Sequence, residues 1–192
     1  MKAAVFFQMH ANNKVCNILK RIYSVLFLRD DHAKIQYLRD AGATIGDGVH
    51  IHSINQLGTE PCLVTIGNHV YFSGSETQLI THDGGISTTY LMGIAPKRYD
   101  CFGKIKIGSN CFIGMKCIIM KGVTIGDNCI VGAGSVVTKD IPSGSVACGV
   151  PARVVETVEE YYKKNYQNLD DTIGWNTYKK RVYLEKKYNN KN

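Results

Sequence analysis

From Ile107 to Val137 a β-branched aliphatic residue returns at every sixth position: Ile107, Ile113, Ile119, Ile125, Val131 and Val137. Glycine follows it in four of the six units, at Gly108, Gly114, Gly126 and Gly132. Four residues after each aliphatic stands a second, mostly small set: Cys111, Cys117, Val123, Cys129, Ser135 and Ile141. A period of six fits neither the 3.6-residue turn of an α-helix nor the simple alternation of a long strand. Short strands that turn a corner every six residues satisfy it, with both residue sets facing an interior. The chain is therefore expected to be an all-β solenoid, a parallel β-helix built of hexapeptide units.

The same period can be followed upstream. It begins at Ile45 and Ile51, is interrupted at Gly58-Thr-Glu-Pro-Cys62, and resumes at Ile66 and Phe72 with Val70 in the small inward slot. Continuing the count would put Glu76 in the interior. A carboxylate in a thin apolar core is costly, so the register should slip between Ser73 and Leu79. Residues 83–103 carry no repeat, and a loop of that length leaving a compact solenoid usually has a functional role.

The flanks read as helices. Val15, Ile18, Leu19, Ile22, Val25 and Leu26 form an i, i+3, i+4, i+7 stripe within Lys14 to Leu28, with Asn12 or Asn13 as cap, and that stripe should pack on the first coil or on a neighbouring subunit. A second helix is expected from His32 to Ala41, capped by Asp30 or Asp31 and stopped by Gly42. Beyond Pro142 the coils end. Thr157-Val-Glu-Glu160 fits a capping box for a helix reaching about Tyr166, and a further helix is plausible from Trp175 to about Tyr188, its aromatic residues covering the solenoid's open end. The domain reading is an N-terminal helical segment (1–41), a β-helix (42–155) with its inserted loop at 83–103, and a helical, basic tail (156–192).

The net charge of +7 owes much to that tail, where residues 179–192 hold six Lys or Arg and one Glu. No nucleic-acid motif accompanies the charge, and a solvated basic tail is the expected reading. Seven cysteines include no CxxC and no zinc spacing. Three of them share one inward slot, where a thiol serves as a small hydrophobe. With no signal-peptide pattern and no apolar run of membrane-spanning length, the expected location is the cytoplasm, without stable membrane insertion.

The repeat, the run Val131-Gly-Ala-Gly-Ser-Val-Val-Thr-Lys-Asp-Ile-Pro142 and the following Gly149-Val-Pro-Ala-Arg153 resemble the hexapeptide-repeat acyltransferases, in particular their galactoside and maltose acetyltransferase branch. The resemblance implies a left-handed parallel β-helix and a homotrimer that binds acetyl-CoA between subunits. Carried over by motif, Met115, Ala133, Thr138, Lys139 and Arg153 are the cofactor candidates; Lys139 and Arg153 could pair with the cofactor's phosphates. Thr81-His-Asp-Gly-Gly85 resembles the family's catalytic histidine segment, and His82 also stands just after the register break, at the root of the long loop. A histidine there could take the acceptor's proton. Asp83, or a carbonyl on the neighbouring coil, would hold its tautomer. Ser75 replaces the branch's usual Asn, so Ser75 and Asp83 are the acceptor-binding candidates and neither galactoside nor maltose is transferred as substrate. The Thr-His-Asp-Gly-Gly segment and the helical lead-in look more like acetyltransferases of capsule and O-antigen synthesis.

His50, His52, His69 and His82 lack the five-residue pair used by the carbonic anhydrases of this fold, so no metal is expected. The reading is O-acetylation of a sugar hydroxyl on a sugar or sugar-nucleotide substrate. Its rivals are N-acetylation of a nucleotide-linked amino sugar, antibiotic acetylation, and a non-catalytic scaffold.

Overall fold

The computed structural model describes Ala3, residues 14–28 and residues 30–189. Two helices lead in: α1 (Lys14–Phe27) and α2 (Asp31–Asp40). Asp30 caps α2 through the Ala33 N–H at 2.8 Å, and Gly42, at φ 99°, stands just past its end. Asn12 and Asn13 lie outside the described residues. Of the apolar stripe of α1, Val15, Ile18, Leu19 and Ile22 are exposed, so these four do not pack on the first coil. The helix packs instead by Cys16, which is buried, and by Tyr23, whose ring lies 6.3 Å from that of Tyr37 on α2.

Eleven short strands follow, β1 (Thr44–Ile45), β2 (Val64–Ile66), β3 (Tyr71–Phe72), β4 (Gln78–Ile80), β5 (Ile105–Ile107), β6 (Phe112–Ile113), β7 (Ile118–Met120), β8 (Thr124–Ile125), β9 (Ile130–Val131), β10 (Val136–Val137) and β11 (Ser145–Gly149). They sort into three sheets. The first is ordered β1-β2-β5-β8, the second starts β3-β6-β9-β11, and the third is β4-β7-β10. From β2 to β10 the chain visits the three in strict rotation, and every pairing among these eleven strands is parallel. Ile107 pairs with Ile125, Ile113 with Val131 and Ile119 with Val137, a separation of eighteen residues in each case. Three hexapeptides thus make one circuit, which is why a six-residue period brings like residues into register.

Both repeat slots face the core. All of Ile107, Cys111, Ile113, Cys117, Ile119, Val123, Ile125, Cys129, Val131, Ser135, Val137 and Ile141 are buried. The thiols do more than fill space. Cys111, Cys117 and Cys129 each donate at 3.1 Å to a corner carbonyl of a later unit, those of Gly126, Gly132 and Pro142. Burial pushes the Cys111 thiol up to about 11 and raises Cys117 as well. Corner glycines are required by close approach: a Cβ on Gly108 would stand 2.7 Å from the Asp127 nitrogen one circuit on.

The register slip is present. Phe72 pairs with Ile113, forty-one residues on, but Leu79 pairs with Ile119, only forty on. The seven-residue step from Phe72 to Leu79 leaves Glu76 exposed and gives its inward slot to Thr77, whose hydroxyl donates to the Gly114 carbonyl at 3.0 Å. A fully buried Gln56 braces the same place: it accepts from the His52 and Ser53 N–H groups and donates to the Gly74 carbonyl, each at 3.0 Å.

The repeat closes with a reversal. Strand β12 (Ala152–Thr157) runs antiparallel on β11 and forms the end of the second sheet. Thr157 and Glu160 make the expected capping box for α4 (Val158–Asn165), the helix that follows the short α3 (Ser87–Leu91) of the long loop. Residues from Tyr161 onward form a separate compact unit. Within it α5 (Thr177–Asn189) is capped by Asn176, Trp175 packs edge-on against Tyr183 at 5.5 Å, and Asp170 accepts from Tyr183 and Lys187. Tyr178 and Tyr188 of the same helix are exposed.

Candidate active site

His82 stands two residues past the end of β4. Thr81 is the last inward residue of that strand's run and is buried, so alternation turns His82 outward, where its side chain is 47% exposed. The long loop leaves and returns at this point. His82 forms an antiparallel bridge with Phe102, the Asp83 N–H donates to the Cys101 carbonyl and the Gly103 N–H to the Thr81 carbonyl, both at 2.9 Å. Between these ends lie the turn Gly84–Ile86 and α3, with Leu91, Met92 and Ile94 exposed.

The imidazole is held from another coil. Its Nδ1 lies 3.0 Å from Oε2 of Glu60. The same oxygen accepts the Thr81 hydroxyl at 2.5 Å, and Oε1 accepts that of Thr59 at 2.6 Å. Burial raises the Glu60 carboxyl, but hydrogen bonds from Thr59, Thr81 and His82, with the charge of His82, outweigh it and hold Glu60 below the usual carboxylate range. Asp83 does not fill this role. Its carboxylate accepts from the Gly85 N–H at 2.9 Å and caps the turn that opens the loop. Glu60 was not among the residues singled out by sequence. The interruption of the period at Gly58–Cys62 is its visible trace in the sequence.

The other candidates frame the third sheet. At its leading corner Ser75 and Met115 are exposed, and a Cβ on Gly74 would meet that of Met115 at 3.4 Å. Ala133 lies on the same corner with its backbone against Gly114. Arg153 pairs with Cys148, whose Cβ a side chain on Gly132 would meet at 2.9 Å, so it belongs to this corner too. At the trailing corner, the register Leu79–Ile119–Val137 carries Thr138 and Lys139, both exposed, past the end of β10 two strands over from Thr81 and His82. Between the corners the outward floor is Gln78, Ile118 and Val136. Three extended residues make that floor roughly 10 Å long. Exposed small residues on one side, cations on both and an exposed imidazole at one end suit an elongated, phosphate-bearing ligand.

The remaining histidines do different work. His50 pairs with Asp31 and stacks on Tyr71 at 4.6 Å, and Tyr71 stacks on Phe112 at 5.8 Å. His69 is an exposed corner residue at φ 54°. Among the described residues no group of three or more His, Cys, Asp or Glu is placed to hold a metal ion, and no helix is long and apolar enough to cross a membrane.

The family described as "Hexapeptide repeat of succinyl-transferase" matches residues 104–139. Protein CapG of Staphylococcus aureus is 41% identical over 156 residues, spanning 79% of this chain and 87% of that protein. Galactoside O-acetyltransferase of Escherichia coli (strain K12) is 37% identical over 131 residues, 64% of this chain and 62% of that enzyme. Among solved structures, a maltose O-acetyltransferase from Clostridium difficile 630 superposes with a TM-score of 0.53 at 25% identity, covering 77% of this chain and 90% of that one. With strands in rotation and a framed, histidine-bearing sheet, the chain belongs to the hexapeptide-repeat acyltransferases. Its chemistry is acyl transfer.

Proposed function

We propose that this protein is a left-handed β-helical O-acetyltransferase that moves the acetyl group of acetyl-CoA to a sugar hydroxyl, with His82 as general base. The observation that carries the reading is the exposed imidazole of His82, tethered by Nδ1 and free at Nε2, on the corner of the sheet that also bears Lys139. A thioester needs little activation, because a thiolate leaves readily. What the reaction needs is a proton acceptor for the hydroxyl and donors for the tetrahedral oxyanion. Nε2 takes the acceptor's proton as the oxygen–carbon bond forms. Collapse of the intermediate breaks the carbon–sulfur bond, and the proton passes from Nε2 to the departing thiolate.

Lys139 and Arg153 suit the cofactor's phosphates, Met115, Ala133 and Thr138 line its path, and Ser75 with Asp83 faces the acceptor. The exposed stack of Tyr71 and Phe112 offers an apolar face that a neighbouring copy covers in a homotrimer. The galactoside and maltose O-acetyltransferase relatives support a sugar acceptor. Its place is in the cytoplasm, in synthesis of a surface polysaccharide such as a capsule or O-antigen.

Thiol release from acetyl-CoA, measured with hexosides, sugar nucleotides and amino-sugar nucleotides, tests the reading. Turnover with a hydroxyl acceptor should fall at least a hundredfold in His82→Ala. Turnover that survives the substitution overturns His82 as base, and preference for an amine acceptor replaces O-transfer by N-transfer.

A further inference from the structure

We infer that Glu60 is a positioning residue for acyl transfer: it fixes the tautomer and the aim of the His82 ring, and the chain carries an insertion that delivers it there. The inference rests on the reading of His82 as base and goes beyond it by assigning the group that makes that base usable.

The first observation is a count along the coils. Eighteen residues separate Ile107 from its partner Ile125, but twenty-one separate Ile45 from Ile66. The three extra residues fall in a stretch of two short turns, Ile54–Leu57 and Pro61–Leu63, with Gly58 to Glu60 between them. Gly58 has φ 69°, and a Cβ there would stand 2.8 Å from the Leu79 carbonyl. Only glycine lets the backbone run so close beneath β4 in that conformation. The buried Gln56 fixes the start of the stretch and Pro61, also buried, its end. The insertion is thus a built bracket, with Glu60 at the point nearest His82.

The second observation is how the carboxylate is spent. Thr59 occupies Oε1, while Thr81 and His82 converge on Oε2. An ionised carboxylate only accepts, so the ring nitrogen facing it must carry a proton. The neutral ring is then protonated at Nδ1, and the lone pair stands on Nε2, pointing away from the coil. A histidine side chain free in water favours the opposite tautomer, in which Nε2 is blocked. Thr81, buried at the end of β4, ties the carboxylate to the strand that bears His82, so acid and base partner move as one.

Three variants test this in the full-length protein, with acetyl-CoA and the best acceptor of the panel. Glu60→Gln should lower kcat at least thirtyfold while KM for both substrates stays within about threefold, since Glu60 touches neither. Nitrogen-15 spectra of the His82 ring should report Nδ1-protonated imidazole in the wild type and a mixture, or the Nε2-protonated form, in Glu60→Gln. Thr59→Ala, which loosens the carboxylate without removing it, should lower kcat several-fold, and Glu60→Asp should recover part of what Glu60→Gln loses. An unchanged kcat and ring spectrum in Glu60→Gln, alongside an inactive His82→Ala, overturns the role of Glu60 and leaves the base assignment standing. A raised KM with kcat preserved makes Glu60 a binding contact and overturns the inference equally. If His82→Ala is itself active, the base assignment fails instead.

Discussion

Ile125→Ala is the sharpest test of the stacked-hexapeptide architecture. Ile125 is fully buried in the first sheet between Ile107, its strand partner, and Ile141, with which it forms a bridge. The substitution deletes three carbons, about 2.4 kcal/mol at ~0.8 kcal/mol per buried methylene. Residues one circuit above and below are held by strand pairing and collapse only partly. A residual cavity of roughly 40–70 Å³ at ~24 cal/mol per Å³ adds about 1–2 kcal/mol. The expected loss is about 3–4 kcal/mol, which in a chain of this size lowers Tm by roughly 10 °C. Thr124, its immediate neighbour, faces outward, and Thr124→Ala should lose less than about 1 kcal/mol, the range of a strand-propensity change. Urea unfolding of the two variants side by side gives the contrast. Equal losses, or a larger one at Thr124, would refute the inward–outward assignment and the six-residue reading with it.

Two further outcomes concern the thiols. Ellman's reagent should modify Cys62 and Cys148, which are exposed, within minutes, whereas buried Cys16, Cys111, Cys117 and Cys129 should react only after denaturant is added. Stability should also fall at alkaline pH. The neutral Cys111 thiol is favoured in the folded state, so its contribution is fully present below the ordinary thiol value of about 8.5 and lost as pH rises toward about 11. Denaturant midpoints across that window should drop less in Cys111→Ala than in the wild type.

What could be read from the sequence follows from what a period can encode. A residue's slot is fixed by its distance from its neighbours in the chain, so the inward set from Ile107 to Ile141 was legible in full. So was the slip before Leu79, because Glu76 could not go inside. Glu60 and Gln56 were not legible. Both act across coils from a stretch with no repeat, and only the stacking of coils reveals what lies above it. The reversal of β12 onto β11 was missed for a similar reason: the repeat has stopped by then, and antiparallel pairing leaves no six-residue trace. Helix α1 carries two apolar edges, and only one of them packs within the chain. Amphipathicity finds the Val15–Ile22 edge, yet Cys16 and Tyr23, one heptad apart, make the contact. At the site, the motif singles out His82 and offers the adjacent Asp83, or a carbonyl on the neighbouring coil, as its partner, whereas the group at Nδ1 is the Glu60 carboxylate. Proximity in sequence was the wrong guide where the chain turns a corner.

The long loop is fastened at its two ends by the pairing of His82 with Phe102, while β5 takes its register from β2 rather than from β4. Nothing in the coils beyond the clasp therefore depends on how many residues the excursion contains. Lengthening it incurs only loop-closure entropy, about 0.6 kcal/mol for a doubling. The molecule is divided into a part that must keep time and a part that need not. Insertions, deletions and wholesale exchanges can accumulate beside His82 while the repeats stay in step, so such a chain can acquire a new surface at that corner without having to solve its folding again.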